Sequence, residues 1–225
     1  MVDLKEFEQK AADLRVLGMK ISIGQDTVYE KYWDEDCRRN IYSASKSFTS
    51  CAVGFAVQEG LIDLDERLMD AFKEDIPNNP DENLKKATVK DLLTMTLGQE
   101  KGFLMGKQRP RMEEQNWVKA SLAIPFVYEP GTHFVYNNVG PYLAGILVQR
   151  RAGCDLLSYL TPRLLKPLGI RKTIWEVDPE GNTFGAGGLF LTVSELHKLG
   201  MFYLQNGCWN GKKLLSKEWI HESTR

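Results

Sequence analysis

The 225 residues contain no apolar run approaching the roughly 18 that a membrane-spanning helix needs. Residues Met1 to Arg15 alternate charged and apolar side chains instead of forming a signal-peptide core, so a cytoplasmic location without membrane association is expected. Only four cysteines occur, Cys37, Cys51, Cys154 and Cys208, with no Cys-x-x-Cys pair. They signal neither a zinc site nor a disulfide framework and read as reduced structural thiols. The three histidines, His133, His197 and His221, offer little to a Ser-His-Asp triad, and His197 and His221 read as solvated helix residues. An excess of one charge is also lacking, since 29 Lys+Arg face 30 Asp+Glu, so no field favours nucleic acid or an anionic membrane. The expected partner is a small molecule.

What the chain does contain is a 43% hydrophobic content, sufficient for a packed core. Helical spacing of Leu4, Phe7, Ala11, Ala12 and Leu14 predicts a helix from Asp3 to Leu17 stopped by Gly18. From Met19 to Trp33 the pattern becomes that of a hairpin turning at Gly24-Gln25-Asp26, the one strong hairpin signal. Thereafter the signals are mostly helical. Thr88 with Asp91 and Thr192 with Glu195 resemble capping boxes, and Gly153 and Gly207 are expected stops. Further helices are expected near Arg111 to Ile124, Val139 to Arg151 and Asp155 to Leu165, the last ended by Pro167. Asn78 to Asp81 and Gly102 to Pro110 read as exposed loops.

The chemistry begins at Ser43-Ala44-Ser45-Lys46, which opens a run that is apolar around most of a helix, Phe48, Cys51, Ala52, Val53, Phe55, Ala56 and Val57, ending near Gly60. Residues three apart share a face, so the Lys46 amine can reach the Ser43 hydroxyl. No carboxylate lies between Tyr42 and Ser50 to pair with Lys46, which makes it a candidate for a desolvated amine acting as general base. A neutral chain of similar length at position 46 is then expected to leave folding intact. The plainer role of a serine at a helix start is a cap. Further on, the turn Glu129-Pro130-Gly131-Thr132 leads to Tyr136-x-Asn138 ahead of a helix, where a phenol and an amide can enter a cleft. Alternatively, the tyrosine anchors the loop and the asparagine caps the helix.

Taken in order, Ser43-x-x-Lys46, Thr88-Val-Lys-Asp-Leu-Leu-Thr-Met-Thr-Leu-Gly98, Pro130-Gly-Thr with Tyr136-x-Asn138, Pro167-Leu-Gly-Ile170 and Gly187-Gly-Leu-Phe-Leu-Thr192 resemble the class C β-lactamase and penicillin-binding-protein type of serine hydrolase. The resemblance runs from the hairpin to the end of the chain. It implies an α/β fold of α+β type, an antiparallel sheet flanked by helices, with a helical lobe over about residues 63–167 and the active site between lobe and sheet. It also implies an acyl-enzyme on Ser43, proton transfer shared by Lys46 and Tyr136, Asn138 on the substrate amide, and no metal or organic cofactor. Which of Lys46 and Tyr136 is the base stays open, as does the choice among β-lactam, D-amino-acid peptide and small ester. A third pocket motif of Lys-Thr-Gly or His-x-Gly type does not occur before Arg225. The C-terminal strands and one oxyanion donor are therefore expected to be missing from a single β-lactamase-like domain over residues 1–225. Weak turnover and self-association through an exposed sheet edge would follow, as would a rival reading as a non-catalytic binding or scaffold domain.

Overall fold

The structure is a computed structural model that describes residues 4–11 and 13–224. In chain order its elements are α1 (Lys5–Ala11), β1 (Gly18–Ile23), β2 (Asp26–Tyr32), β3 (Arg39–Asn40), α2 (Ser45–Gln58), α3 (Leu68–Ala71), α4 (Glu82–Lys86) and α5 (Val89–Thr94). There follow α6 (Trp117–Leu122), α7 (Val139–Ala152), α8 (Leu156–Leu160), β4 (Phe190–Leu191), α9 (Val193–Leu204), β5 (Cys208–Trp209), β6 (Lys212–Lys213) and α10 (Lys217–Glu222). The chain forms two compact units, one of residues 1–40, 164–173 and 190–225, the other of 41–163 and 174–189.

In the first unit β1 and β2 pair antiparallel from Gly18 opposite Tyr32, with an irregularity between Ile21 and Ser22. Helix α9 lies against β1, where Tyr32 Oη meets Ser194 Oγ at 2.9 Å and Ser22 Oγ meets His197 Nε2 at 3.0 Å. Arg38 ties the unit's remote segments together, donating to both carboxylate oxygens of Glu195 on α9 and to the carbonyls of Arg171 and Lys172. The capping box predicted at Thr192 and Glu195 starts α9. Residues Arg39 and Asn40 pair with Leu191 and Phe190, a contact between distant parts of the chain.

Several sequence expectations need correction here. Helix α1 ends at Ala11, and Gly18 is claimed by the strand ladder, so it does not terminate the helix; Arg15, at φ 54, takes the left-handed position instead. Asp3 and Ala12, which the prediction included, lie outside the described residues. The first hairpin is not the only one, because β5 and β6 join through Asn210-Gly211, both at positive φ, the Asn-Gly turn that suits a two-residue hairpin. Helix α6 is shorter than predicted, since the Asn116 side chain accepts from Lys119 N–H and sets the start at Trp117. The run expected from Asp155 to Leu165 is helical only to Leu160 and then widens into a π turn at Thr161–Leu165. Pro162 has no N–H to continue the ladder.

The second unit is built on α2 and α7. Helix α2 buries Phe48, Cys51, Ala52, Val53, Phe55 and Ala56 as its composition demands. Helix α7, buried from Val139 to Gln149, packs against α2, α5 and α8 and ends at Gly153 in the left-handed conformation. Thr88 and Asp91 form the expected capping box of α5. Trp117, Tyr142 and Phe184 make an aromatic cluster with centroids 5.7–6.3 Å apart. Inside it the buried Tyr142 hydroxyl donates to Asp178, whose other oxygen accepts the N–H groups of Glu180 and Asn182. Because α5 comes so close to α7, a Cβ on Gly140 would sit 2.2 Å from the Leu92 carbonyl oxygen. Backbone cannot yield there as a side chain would. Gly140→Ala is expected to destabilise by about 1–3 kcal/mol or somewhat more, the usual range for overpacking. At about 2–4 °C per kcal/mol for a chain of this size, thermal melting should fall by about 2–12 °C. An unchanged melt would mean that α5 and α7 do not approach this closely.

Candidate active site

Strand β3 delivers the chain to a single 3-10 turn, Tyr42–Ala44, that runs directly into α2. Tyr42 stands at φ 47, a left-handed conformation rare for a bulky side chain, so the turn is held by its surroundings. Ser43 is exposed at this turn and Lys46 is half-buried one helical turn on. The predicted facing of the two is observed, with Lys46 Nζ 3.2 Å from Ser43 Oγ.

Tyr136 reaches the same oxygen from the loop before α7, its Oη 2.7 Å from Ser43 Oγ. Lys46 also lies over the Tyr136 ring, 5.3 Å from the centroid. Two further acceptors complete the ammonium's surroundings, Asn138 Oδ1 at 2.7 Å and the Ala186 carbonyl at 2.6 Å. Three N–H bonds thus meet three acceptors. Burial pushes the Lys46 amine below its usual range and the nearby Arg109 charge adds to this, while Tyr136 opposes it. Burial raises the Tyr136 phenol, but the bond to Ser43 and the Lys46 charge outweigh it, so its acidity is greater than that of a free tyrosine. Exchanging Lys46 for an apolar chain would leave the Asn138 and Ala186 oxygens without this donor, a cost that the expectation of intact folding did not include.

Asn138 stands at the N-cap position of α7 but its side chain makes no capping bond; Asn137 does, its Oδ1 accepting from Gly140 N–H at 3.1 Å. Both ends of the Asn138 amide are engaged within the protein, Oδ1 by Lys46 and Nδ2 by the Leu104 carbonyl at 2.9 Å. The Asn138 N–H donates to the Phe103 carbonyl. The segment Gly102 to Pro110 is consequently not the wholly exposed loop that its composition suggests. Leu104 is fully buried and its backbone supports the site.

Sequence reasoning missed Arg109 and Glu176. Arg109 Nη1 donates to Glu176 Oε1 at 2.6 Å and the guanidinium lies 4.2 Å from the Phe184 ring centroid. Glu176 is in turn fixed by Gly188, at φ 82, where a Cβ would fall 2.2 Å from that of Glu176. The partners lie 67 residues apart, and no local pattern announces such a pair. His133 stacks on Tyr128 at 4.2 Å, and His197, half-buried, bonds Ser22, so it is not the solvated residue expected. Among the described residues no group of three His, Cys, Asp or Glu could hold a metal ion, and no helix is long and apolar enough to cross a membrane.

The architecture is that of the β-lactamase and penicillin-binding-protein fold. A penicillin-binding protein homologue from Pyrococcus abyssi, described as octameric, superposes with a TM-score of 0.77 at 22% identity, over 98% of this chain and 59% of that one. The family model described as Beta-lactamase matches residues 5–224, and the chain belongs to that family. Two similar relatives are a monacolin J acid methylbutanoyltransferase from Aspergillus terreus, 31% identical over 61% of this chain, and a lovastatin esterase from Penicillium rubens, 31% identical over 57%. The matched stretch is 37% of each relative's length.

The electrostatics of the site can be tested without any assay of turnover. Removing the Arg109 charge removes a repulsion from the Lys46 ammonium and leaves Glu176 as an unpaired anion, and both effects favour the charged amine. Arg109→Met should therefore raise the Lys46 pKa, read as an alkaline shift in the NMR titration of its side-chain Cε. An unmoved or lowered midpoint would show that Arg109 does not act on Lys46.

Proposed function

We propose that the chain is the acyl-transfer unit of a serine hydrolase or acyltransferase that opens esters or amides through an acyl-Ser43 intermediate. One observation carries this reading: Ser43 Oγ is met by Tyr136 Oη at 2.7 Å and Lys46 Nζ at 3.2 Å. A serine hydroxyl is a weak nucleophile at neutral pH and needs its proton removed on attack. With Lys46 charged, its three N–H bonds leave no lone pair for that proton, whereas an ionised Tyr136 accepts it over a short distance. In this reading Tyr136 is the base, Lys46 stabilises the phenolate and Asn138 positions Lys46. The Ser43 oxygen bonds to the acyl carbon, the C–O or C–N bond breaks, and the leaving group departs with the proton that Tyr136 took. Water or an alcohol then receives the acyl group by the reverse sequence.

Among the candidate substrates an ester with an apolar acyl group is favoured. The exposed Tyr42 precedes Ser43 and the exposed Phe134 precedes Tyr136 by two residues, so apolar surface accompanies both reacting groups. The similar relatives are named for ester chemistry, a methylbutanoyl transfer and a lovastatin esterase. The mechanism requires neither metal nor cofactor.

Intact-mass analysis after treatment with a fluorophosphonate should show one adduct, absent in Ser43→Ala; persistent labelling in that variant would remove Ser43 from the role. Tyr136→Phe and Lys46→Met should each slow acylation by nitrophenyl esters at least about a hundredfold, the lower range for loss of a general base. Full rates in Tyr136→Phe would transfer that role to Lys46. A chromogenic cephalosporin assayed beside the esters distinguishes β-lactam cleavage, which should be the slower.

A further inference from the structure

Ser45 lies between the two residues of the Ser43-x-x-Lys46 pair and has no part in the mechanism above. It is fully buried, yet it is polar and is the first residue of α2. Capping does not explain it, because α2 has its N-cap at Ala44 with no side-chain capping bond. The Ser45 hydroxyl instead donates to the Tyr42 carbonyl at 2.6 Å and accepts from Leu189 N–H at 3.1 Å. The Leu189 carbonyl returns to the same turn, accepting from Ile41 N–H at 2.9 Å. Three residues before Leu189 is Ala186, whose carbonyl receives Lys46. One short segment, residues 186–189, thus fixes both sides of Ser43, the turn before it and the lysine after it.

We propose that Ser45 is a positioning residue for acylation at Ser43, its hydroxyl bridging the Tyr42 turn to Leu189 and so holding Ser43 Oγ in line with Tyr136 and Lys46. The need for such a bridge is visible at Tyr42, whose left-handed backbone is sparsely populated for an aromatic residue and persists only where neighbours over-determine it. Without the hydroxyl the turn can relax toward ordinary backbone angles, moving Ser43 while leaving the apolar face of α2 in place. A displacement of about 1 Å is enough to cost about a hundredfold in rate.

The inference rests on the reading of Ser43 as nucleophile, and its test separates the two. Fluorophosphonate phosphonylates a serine oxygen with loss of fluoride, so the concentration dependence of labelling gives a maximal rate and an apparent affinity without requiring deacylation. Ser45→Ala and Ser45→Cys, the second keeping nearly the same volume but bonding weakly, should lower the maximal rate by about ten- to a hundredfold with apparent affinity unchanged. Ser45→Thr, which retains the hydroxyl, should recover most of the rate. Tyr159→Phe serves as the control for lost stability, since its hydroxyl bonds Glu59 at the far end of α2; it should lower the melting temperature without slowing labelling. Should Ser45→Ala fail to fold, Ser45→Cys against Ser45→Thr still decides. Labelled wild type with unchanged rates in Ser45→Ala or Ser45→Cys, or an equal loss in Tyr159→Phe, would overturn the positioning role alone. Wild type that is never labelled would remove the nucleophile and the positioning role together.

Discussion

A cation carried out of water at Lys46 is the constraint around which the second unit is organised. Desolvating an ammonium costs several kcal/mol even after relaxation, and the cost is tolerable only where acceptors replace water. Here they come from three separate places in the sequence, Ser43 on the preceding turn, Asn138 at the start of α7 and the Ala186 carbonyl before β4. Two of these acceptors have supports of their own. Asn138 is held by the backbone of Phe103 and Leu104, and the neighbouring Gly185 carbonyl accepts from Thr49 on α2. A polar centre with such requirements restricts where α2, α7 and the 184–189 segment can go more sharply than apolar packing, which tolerates many arrangements of similar volume.

Apolar packing supplies rigidity to that centre. Helices α2 and α7 both begin at the site, at Ser45 and Val139, and both are buried along most of their length. Their starts are therefore fixed by two long apolar contacts and by the close approach of Gly140 to Leu92. Residues that approach reacting groups from the ends of buried helices hold position better than residues on mobile loops. Tyr136 is the exception, being on a loop, and its segment is pinned at Val135 N–H to the Met95 carbonyl and at Asn138 N–H to the Phe103 carbonyl.

What could be read in the sequence divides along the range of the interactions. Ser43 and Lys46 face each other because helical geometry alone brings residues three apart together, and the capping boxes at Thr88 and Thr192 are equally local. The Asn210-Gly211 hairpin was just as legible from its dipeptide, but only two residues pair on each side, too few to show an alternating pattern. Tyr136 and Asn138 stood out by their place before a helix, but needed a resemblance to be given roles, since an isolated Tyr-x-Asn has ordinary uses in loops and caps. Within the Asn137-Asn138 pair, sequence could not say which amide caps α7 and which turns toward Lys46. Arg109 and Glu176 were beyond reach, because their pairing depends on a tertiary contact across 67 residues and on the space that Gly188 leaves for Glu176.

The proximity of Lys46 and Tyr136 has a consequence for how the site responds to pH. Moving one proton from the phenol to the amine leaves the total charge of the pair unchanged, so the ionic and neutral forms interconvert without exchange with solvent. Only the loss of a second proton changes the charge, and that step belongs to the pair. The Arg109 charge pushes the Lys46 amine down, and the Lys46 charge in turn favours the Tyr136 phenolate, so each member's state depends on the other's. Burial acts oppositely on the two, lowering the amine and raising the phenol. The balance between ionic and neutral forms is thus set by competition between desolvation, which favours the neutral pair, and the Ser43 bond together with mutual attraction, which favours the ionic one. Water exclusion by a bound apolar acyl group would strengthen both sides of that competition, because a lower local dielectric raises the cost of each charge and deepens their attraction. The acceptors at Asn138 and Ala186 serve either form, since a neutral amine keeps two N–H groups; the bond to Ser43 is the one that distinguishes them, because only the ammonium has a third N–H to give while the neutral amine turns its lone pair there.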